Sequence, residues 1–512
     1  MKLSDVICGV PISAGEQEEA KRRRELRIRQ FLEEGPICLI RLTLNIIGPV
    51  KSFPMALDAF HEGVCAIRRE LSSFSFEKLD CSPGAIPDGS PAVKPGDHPG
   101  GEPGETSRDG AGFVFREFKE NTGAEGYFLL FEKSGSEGLA KTVKKRMISI
   151  EENHPLGRLF NIDVFSPDGN PISRGLLGLG SRSCLVCGEP AASCIEKRTH
   201  STELILWRTV QILNDFFRGK AADLAAACAV RALLYEVSAT PKPGLVDRNN
   251  SGSHQDMDFF TFLDSSAALI PWFRDFFCIG WDHASDPEPL LFSRLRFAGK
   301  RAEEQMFSAT GGVNTHKGLV FSFAVLCGAL GQIHARRPLP LDGRQVIDAC
   351  RKLGRRALDD FQKTGEKEPQ GEPSETNGEQ CRRRYGLLGA RGEAAAGFPS
   401  ALRYGLPVLK KRLAKGDALN DAAVFSLLSL IASVDDTNMI HRGGFAAAQD
   451  RKKEAMRLLS QLTNENFHDT LNALDSSYIR ENLSPGGCAD LLAISLFFFR
   501  LEEEIRSIRF SL

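Results

Sequence analysis

Near residue 220 the hydrophobic period of the chain changes, and this change limits the possible folds more than any other feature. Upstream, short apolar runs read as strands: CLIRLTLNI (38–46), GFVFREF (112–118), YFLLFE (127–132) and LFNIDVF (159–165). Helical patterns, FPMALDAFHEGVCAIRREL and GLAKTVKKRMISIEE, lie between them. The Pro-Asp-Gly that follows LFNIDVF is a turn signal before a further short strand. Downstream, Ala- and Leu-rich helical periodicity prevails and alternating strands are missing. The expected fold is two domains, α+β over residues 1–218 and all-α over 219–512, with the boundary inside TELILWRTVQILNDFFRGK.

The totals exclude some partners. Of 512 residues, 42% are hydrophobic, enough for more than one core. With 65 basic and 66 acidic residues the net charge is −1, so no global field draws nucleic acid or an anionic membrane. The start, MKLSDVICGV, has no secretory apolar region, and 13 cysteines, an odd count, fit a reducing compartment; a cytoplasmic protein is expected. The longest uncharged apolar run, Gly318 to Ile333, falls short of the roughly 20 residues of a spanning helix, so a buried core helix is expected there. Two polar stretches, about 80–112 and 364–384, are expected to be a disordered insertion and a flexible loop. The basic run Lys21 to Gln30, with Leu26, Phe31 and Leu32, reads as a helix with a solvated basic face.

One connection in the second half is too long for its task. Between KAADLAAACAVRALLYE and FFTFLDSSAALIPWF lies EVSATPKPGLVDRNNSGSHQDMD, where a short turn would suffice. GGVNTHKG, GARGEAAAGFP, VDDTNMIHRGG and NLSPGGCADLLA follow, each at a helix end and each mixing glycine with charge. Glycine-rich helix starts expose N–H groups that suit phosphate, as in Ser484-Pro485-Gly486-Gly487. Lys242, Lys317, Arg391 and Arg442 add positive charge, and Asp247, Asp256, Asp258, Asp435 and Asp436 offer oxygens to Mg²⁺. Taken singly, DDTN is more often a helix cap, and His254, His316 and His441 are more often structural. A G-x-x-x-x-G-K-[ST] loop is missing, and Gly178-Leu179-Gly180 has Ser183 where a dinucleotide motif needs glycine. The residues alone reach as far as a Mg-nucleotide pocket in an all-α domain.

In the first half the informative run is HPLGRLFNIDVFSPDGNPISR. Alternation along LFNIDV sets Asn161 and Asp163 on one face of a strand, where two carboxylates would bind Mg²⁺ for displacement at phosphorus; only one is a carboxylate here. The plainer reading is a polar sheet face. Cys184, Cys187, Cys194 and His200 follow in the order C-x₂-C-x₆-C-x₅-H, compatible with a Cys₃His zinc site or with reduced structural thiols.

Two resemblances then enter. ALLYEVSATPKPGLVDRNNSGSHQDMD, GVNTHKG, GARGEAAAGFP, DDTNMIHRGG and LSPGGCADLLA, in that order over residues 221–512, closely resemble triphosphoribosyl-dephospho-CoA synthase. That family implies attack of the 2′-hydroxyl of 3′-dephospho-CoA on the anomeric carbon of ATP's ribose, with adenine leaving. Asp435, Asp436 and Asp247 would then hold Mg²⁺, Glu393 or His254 would handle protons, and Lys242, Asn314, His316, Lys317, Arg391, His441, Arg442, Ser484, Gly486 and Gly487 would line the substrate site. LTLNIIGPVK, HPLGRLFNIDV and CLVCGEPAASCIEKRTH, over about residues 10–215, resemble apo-citrate lyase phosphoribosyl-dephospho-CoA transferase. This second resemblance implies a nucleotidyltransferase-like domain that loads a serine of the citrate lyase acyl carrier (gamma) subunit and releases pyrophosphate. It makes Asp163 a metal ligand, sets Asn161 where the family usually has Asp, and puts Gly48, Pro49, Lys51 and Arg158 at the substrate. The alternatives are the same service to malonate decarboxylase, a first half that binds carrier without catalysis, and a nucleotide sensor without turnover.

Overall fold

The computed structural model describes residues 6–72, 104–109, 113–131, 138–336, 343–364, 377–463 and 465–510. The chain packs as two compact units that divide between Phe217 and Arg218.

The first unit is built on a five-stranded antiparallel sheet in the order β2-β3-β4-β1-β5. Its strands are β1 (Cys38–Leu44), β2 (Gly104–Asp109), β3 (Phe113–Glu120), β4 (Gly123–Leu130) and β5 (Phe160–Phe165). Strand alternation sends Ile40, Leu42, Phe128, Leu130, Ile162 and Val164 to one face. There they join Phe60 and Ile67 of α2 (Pro54–Ser72) and Val143 and Met147 of α3 (Leu139–Asn153) in one core. Leu39, Tyr127, Leu129 and Phe165 on the other face pack with Phe31 of α1 (Ala14–Glu33).

Three expectations need correction here. The basic face of α1 is solvated only in part: Lys21, Arg22 and Arg29 are exposed, but Arg24 and Arg27 bind Glu125 at 2.5 and 2.9 Å and Arg27 also binds Glu120 at 2.6 Å. Glu125 lies on the sheet face that α1 covers, and a buried carboxylate needs paired donors; Leu26, expected inward, is exposed instead. Within the expected insertion, Gly104–Asp109 is a strand on β3, since an edge strand needs backbone pairing more than apolar side chains; 73–103 and 110–112 lie outside the described residues. The turn after β5 leads to an isolated bridge, Phe165 to Pro171, and no further strand: Ser166, Asp168 and Asn170 tie the turn and proline brings no N–H. Beyond it come the short helix α4 (Ala191–Glu196) and α5 (Thr202–Ser238), which contains the division.

The second unit is helical among the described residues: α6 (Phe259–Asp282), α7 (Glu288–Ala309), α8 (Lys317–Arg336), α9 (Gly343–Thr364), α10 (Asn377–Tyr385), α11 (Gly389–Ala396), α12 (Leu406–Ala414), α13 (Leu419–Ser433), α14 (Thr437–Gln461), α15 (Phe467–Arg480) and α16 (Gly486–Phe510). Helix α8 is long and apolar enough to cross a membrane, yet 72% of its apolar window is buried inside the unit, as a core helix requires. It meets α6 backbone to backbone: a Cβ on Gly280 would stand 2.0 Å from the Gly328 carbonyl, and one on Gly331 2.0 Å from that of Phe277. The loop expected over 364–384 is corrected at its end, where α10 forms. Cys381 is buried in the core and Tyr385 stacks on Phe445, which anchors a polar sequence; 365–376 lie outside the described residues.

Candidate functional site

The long connection Glu236 to Asp258 is folded on itself by Asp247. Its Oδ2 accepts from Thr240 Oγ1 (2.7 Å) and the Lys242 N–H (2.8 Å), and its Oδ1 from the Asn249 and Asn250 N–H groups (2.7 and 3.2 Å). Asp247 is buried and does not line the cavity described next, so it stands apart from the expected Mg²⁺ ligands. An Asx-turn carboxylate and a metal carboxylate look alike in sequence. Gly244, at φ +69°, closes the loop on its neighbour: a Cβ there would lie 2.2 Å from the Leu483 carbonyl.

This connection forms one wall of a cavity of about 1320 Å³. That exceeds the usual single-ligand pocket of roughly 300–1,000 Å³ and gives room for two nucleotides. The structure brings Lys242, His254, Asn314, His316, Lys317, Arg391 and Glu393 to its lining. The lining also includes Asp435, Asp436, His441, Arg442, Ser484, Gly486 and Gly487. Arg296 and Lys300 of α7 add cationic charge that the sequence reading left out.

Two helices start together at this wall. Asp436 caps α14 through the N–H groups of Asn438 (2.8 Å) and Met439 (3.0 Å), and its Oδ2 accepts the Cys488 N–H of α16 at 2.7 Å. Gly486 and Gly487 permit the approach, since a Cβ on Gly487 would sit 3.0 Å from Asp436 Oδ2 and one on Gly486 2.6 Å from Asn438 Nδ2. Burial raises the Asp436 carboxyl from its ordinary value although these N–H groups favour its charge. Asp435 is opposite in behaviour: burial opposes its ionisation, but Lys452 and Gln449, both 2.8 Å from Oδ1, hold its pKa low.

The histidines differ as sharply. Thr315 Oγ1 donates to Ser265 Oγ, and Ser265 Oγ shares a hydrogen bond with His316 Nδ1, each at 2.7 Å. Nε2 is buried without a protein partner, and burial with Lys242 nearby pushes His316 down to about 3. His254 receives Arg442 Nη2 on Nδ1 (3.3 Å) and gives Nε2–H to Ser484 (3.0 Å); burial and Arg442 lower its pKa. Glu393 is held by Ser400 through its N–H (3.1 Å) and hydroxyl (2.6 Å). Asn314 Oδ1 accepts the Lys317 N–H at 3.2 Å and so starts α8, while Lys317 faces Glu303 at 3.8 Å.

Sequence reasoning missed two acids on this wall. Glu236 is buried in an ion pair with buried Lys242 at 2.5 Å, and burial raises it despite that partner. Asp490 is pushed well above the carboxylate range by burial, with Glu236 and Asp436 adding repulsion. Its signal was the lone acid in SPGGCADLLA; Gly318 leaves it room, as a Cβ there would stand 2.5 Å from Asp490 Oδ2.

In the first unit, Asn161 and Asp163 do share a face, and β1 lies antiparallel beside them with Arg41 opposite Asp163 and Thr43 opposite Asn161. Arg41 Nη2 binds Asp163 Oδ2 at 2.6 Å, and Asn161 Nδ2 donates to the same oxygen at 3.0 Å. Arg41 was missed because strand register is a tertiary property. Asn161 also reaches Thr43 Oγ1 at 3.3 Å, and Thr43 borders a small hollow with Lys51 and Arg24. Burial and Arg24 lower the Lys51 ammonium, which donates to the Ile46 carbonyl. Gly48 takes φ +92° with Leu206 against it, and the Pro49 carbonyl accepts the Ile12 N–H at 2.9 Å; neither borders that hollow. Arg158 donates to the Cys184 carbonyl.

Cys184, Cys187, Cys194 and His200 converge, with all four donor atoms within 4.8 Å of one another. Cys187 and Cys194 are 3.5 Å apart and His200 Nε2 lies 3.3 Å from Cys187. Burial opposes ionisation of Cys184, but the Cys187 and Val186 N–H groups outweigh it and lower the thiol to about 7.

The helical unit thus has a charged cavity of about 1320 Å³, and the α+β unit has a polar sheet face of its own. Residues 222–509 match the family described as ATP:dephospho-CoA triphosphoribosyl transferase (CitG), and residues 110–216 match apo-citrate lyase phosphoribosyl-dephospho-CoA transferase (CitX). "Protein CitXG" of Leuconostoc mesenteroides subsp. cremoris is 36% identical over 376 residues, 71% of this chain and 79% of the relative. "Protein CitXG" of Haemophilus influenzae is 35% identical over 393 residues, 74% of this chain and 79% of the relative. A "Probable 2-(5''-triphosphoribosyl)-3'-dephosphocoenzyme-A synthase" of Streptococcus equi subsp. zooepidemicus is 42% identical over 298 residues, 56% of this chain and 99% of the relative. The chain belongs to the ATP:dephospho-CoA triphosphoribosyl transferase family, in the form that also carries the apo-citrate lyase transferase region.

Proposed function

We infer that this chain is a bifunctional transferase that both makes and attaches the prosthetic group of citrate lyase. The Arg218–Ser511 unit joins ATP and 3′-dephospho-CoA, and the other transfers phosphoribosyl-dephospho-CoA to the apo acyl carrier. One observation carries the first step: a cavity sized for two nucleotides holds cationic side chains and raised-pKa acids together. In that step the 2′-hydroxyl oxygen bonds to the ribose anomeric carbon, the bond to adenine breaks, and the triphosphate stays on the sugar. Positive charge gathers on the ribose as adenine departs, and a carboxylate such as Glu393 would stabilise it. Adenine must gain a proton; Asp490, whose carboxyl burial raises well above its ordinary value, suits that task better than His254, whose pKa burial lowers. His254, held between Arg442 and Ser484 with both ring nitrogens engaged, would orient substrate and pass a proton only after Arg442 turns to the phosphates.

The acids fit Mg²⁺ unevenly. Asp435 would hold it in the helical unit, because its contacts with Gln449 and Lys452 both fall on Oδ1 and leave Oδ2 for a cation; Asp436 would stand beside it with both oxygens already engaged as a helix cap. Such an ion would neutralise the triphosphate. Asp163 shows the same pattern, with Arg41 and Asn161 both on Oδ2, but Asn161 stands where a second carboxylate would be needed, and no step is placed on a metal there. Zn²⁺ at Cys184, Cys187, Cys194 and His200, a serine of the gamma subunit as acceptor, a nucleotidyltransferase-like first domain over 1–218 and a cytoplasmic site belong to the same reading. The citrate lyase name of the matching family favours that carrier over malonate decarboxylase.

Free adenine, followed by chromatography, tests the first step. Adenine that forms only when ATP and 3′-dephospho-CoA are both present supports it; ADP or AMP in its place overturns it.

A further inference from the structure

Between Gly175 and His200 one residue alone, Cys184, is buried. Fixing each backbone residue costs about 1–2 kcal/mol, and so little buried surface does not offset that over 26 residues. Leu177 and Leu185 only brush the first unit's core, and Ile195 stands exposed. Yet the segment folds back tightly. The Gly188 N–H returns to the Cys184 carbonyl (3.1 Å), Ala191 N–H to that of Arg182 (2.8 Å) and Thr199 N–H to that of Cys194 (3.1 Å). Something other than an apolar core holds it. At its centre lie three sulfurs and one imidazole nitrogen within 4.8 Å, and tetrahedral zinc with Zn–S of ~2.3 Å sets its ligand atoms about 3.7 Å apart. The donor set fits a closed structural site with no position left for substrate.

The folded segment grips the strand that carries Asn161 and Asp163. The Cys184 carbonyl accepts from Arg158, two residues before β5 begins. Arg182 donates to the Phe160 carbonyl at 2.8 Å and pairs with Glu151, whose Oε1 accepts the Ile162 N–H at 2.9 Å. Arg174 closes the same side on Glu151 at 2.9 Å.

We propose that one Zn²⁺ bound by Cys184, Cys187, Cys194 and His200 is a structural clamp on the transfer site, holding Arg158 and the start of β5 in place. The inference rests on the zinc reading above and adds its purpose: metal loss disables loading of the carrier while adenine release by the second unit continues.

The test uses the full chain. Zinc content is measured first, with the reactivity of Cys187, an exposed residue, toward a thiol reagent. About one zinc per chain is expected, with Cys187 reacting only after chelation while exposed Cys8 reacts throughout. Cys187→Ser should cut zinc affinity by at least 10–100-fold, in line with losses seen even for indirect changes. It should also cut pyrophosphate release to apo-carrier, with adenine release unchanged. Cys194→His keeps a zinc ligand and should retain both metal and transfer, which separates metal loss from general misfolding. A chain that takes up no zinc on titration overturns the zinc reading itself. A chain that loses its zinc and still transfers at full rate overturns the clamp and leaves the zinc site standing.

Discussion

Asp436 and Cys488 tie two helix starts together: the carboxylate that caps α14 also accepts the Cys488 N–H at the head of α16, at 2.7 Å. The residue is 2% exposed, so its bonds are made away from water. Asp436→Ala should destabilise the chain by roughly 2–4 kcal/mol, the sum of a lost cap and a stranded buried donor. Denaturant unfolding of both proteins measures this. A loss under half a kcal/mol would mean that water replaces the carboxylate freely.

Lys242 and Glu236 form a buried pair at 2.5 Å. Lys242→Met should cost about 3–5 kcal/mol, because it leaves a carboxylate buried without its partner. Adding Glu236→Gln should return much of that stability. Equal destabilisation by the single and double changes would contradict the pairing.

His316 sets a pH dependence. Its ordinary pKa is 6.5, and burial pushes it down to about 3 in the folded chain. The unfolded chain therefore takes up a proton between these values and the folded chain does not. This contribution is complete above pH 6.5 and is lost as pH falls toward 3, on the order of 4–5 kcal/mol over the window. His316→Gln should flatten the stability profile across that range. An unchanged slope would show that His316 is not held neutral.

In the first unit the decisive pair is Asn161 and Asp163, joined at 3.0 Å. Asn161→Asp sets two carboxylates side by side, and a bridging cation relieves their repulsion in competition with Arg41 and with protonation of one of them. Transfer should then rise at limiting Mg²⁺ and depend more steeply on it. Pyrophosphate release that is the same across a Mg²⁺ titration would argue against this.

What the sequence makes legible follows from what sequence encodes locally. Glycine with charge at helix ends led to GGVNTHKG, VDDTNMIHRGG and NLSPGGCADLLA, and these converge on one cavity because helix ends of a bundle gather. Alternation put Asn161 beside Asp163, and spacing put three cysteines near His200. Partners set by register or packing stayed hidden. Arg41 meets Asp163 only through the pairing of β1 with β5, and Glu125 turns Arg24 and Arg27 of α1 inward only once that helix docks. Asp247 misled for the opposite reason: its four hydrogen bonds are local, and nothing in DRNN separates a turn from a ligand.

The most direct measurement is the intact mass of apo acyl carrier after incubation with this chain, Mg²⁺, ATP and 3′-dephospho-CoA together. The account expects the carrier to gain phosphoribosyl-dephospho-CoA, with adenine and pyrophosphate released and no gain when 3′-dephospho-CoA is left out. A carrier that stays unmodified while adenine accumulates, or one that gains AMP instead, would contradict a single chain that both makes the group and attaches it.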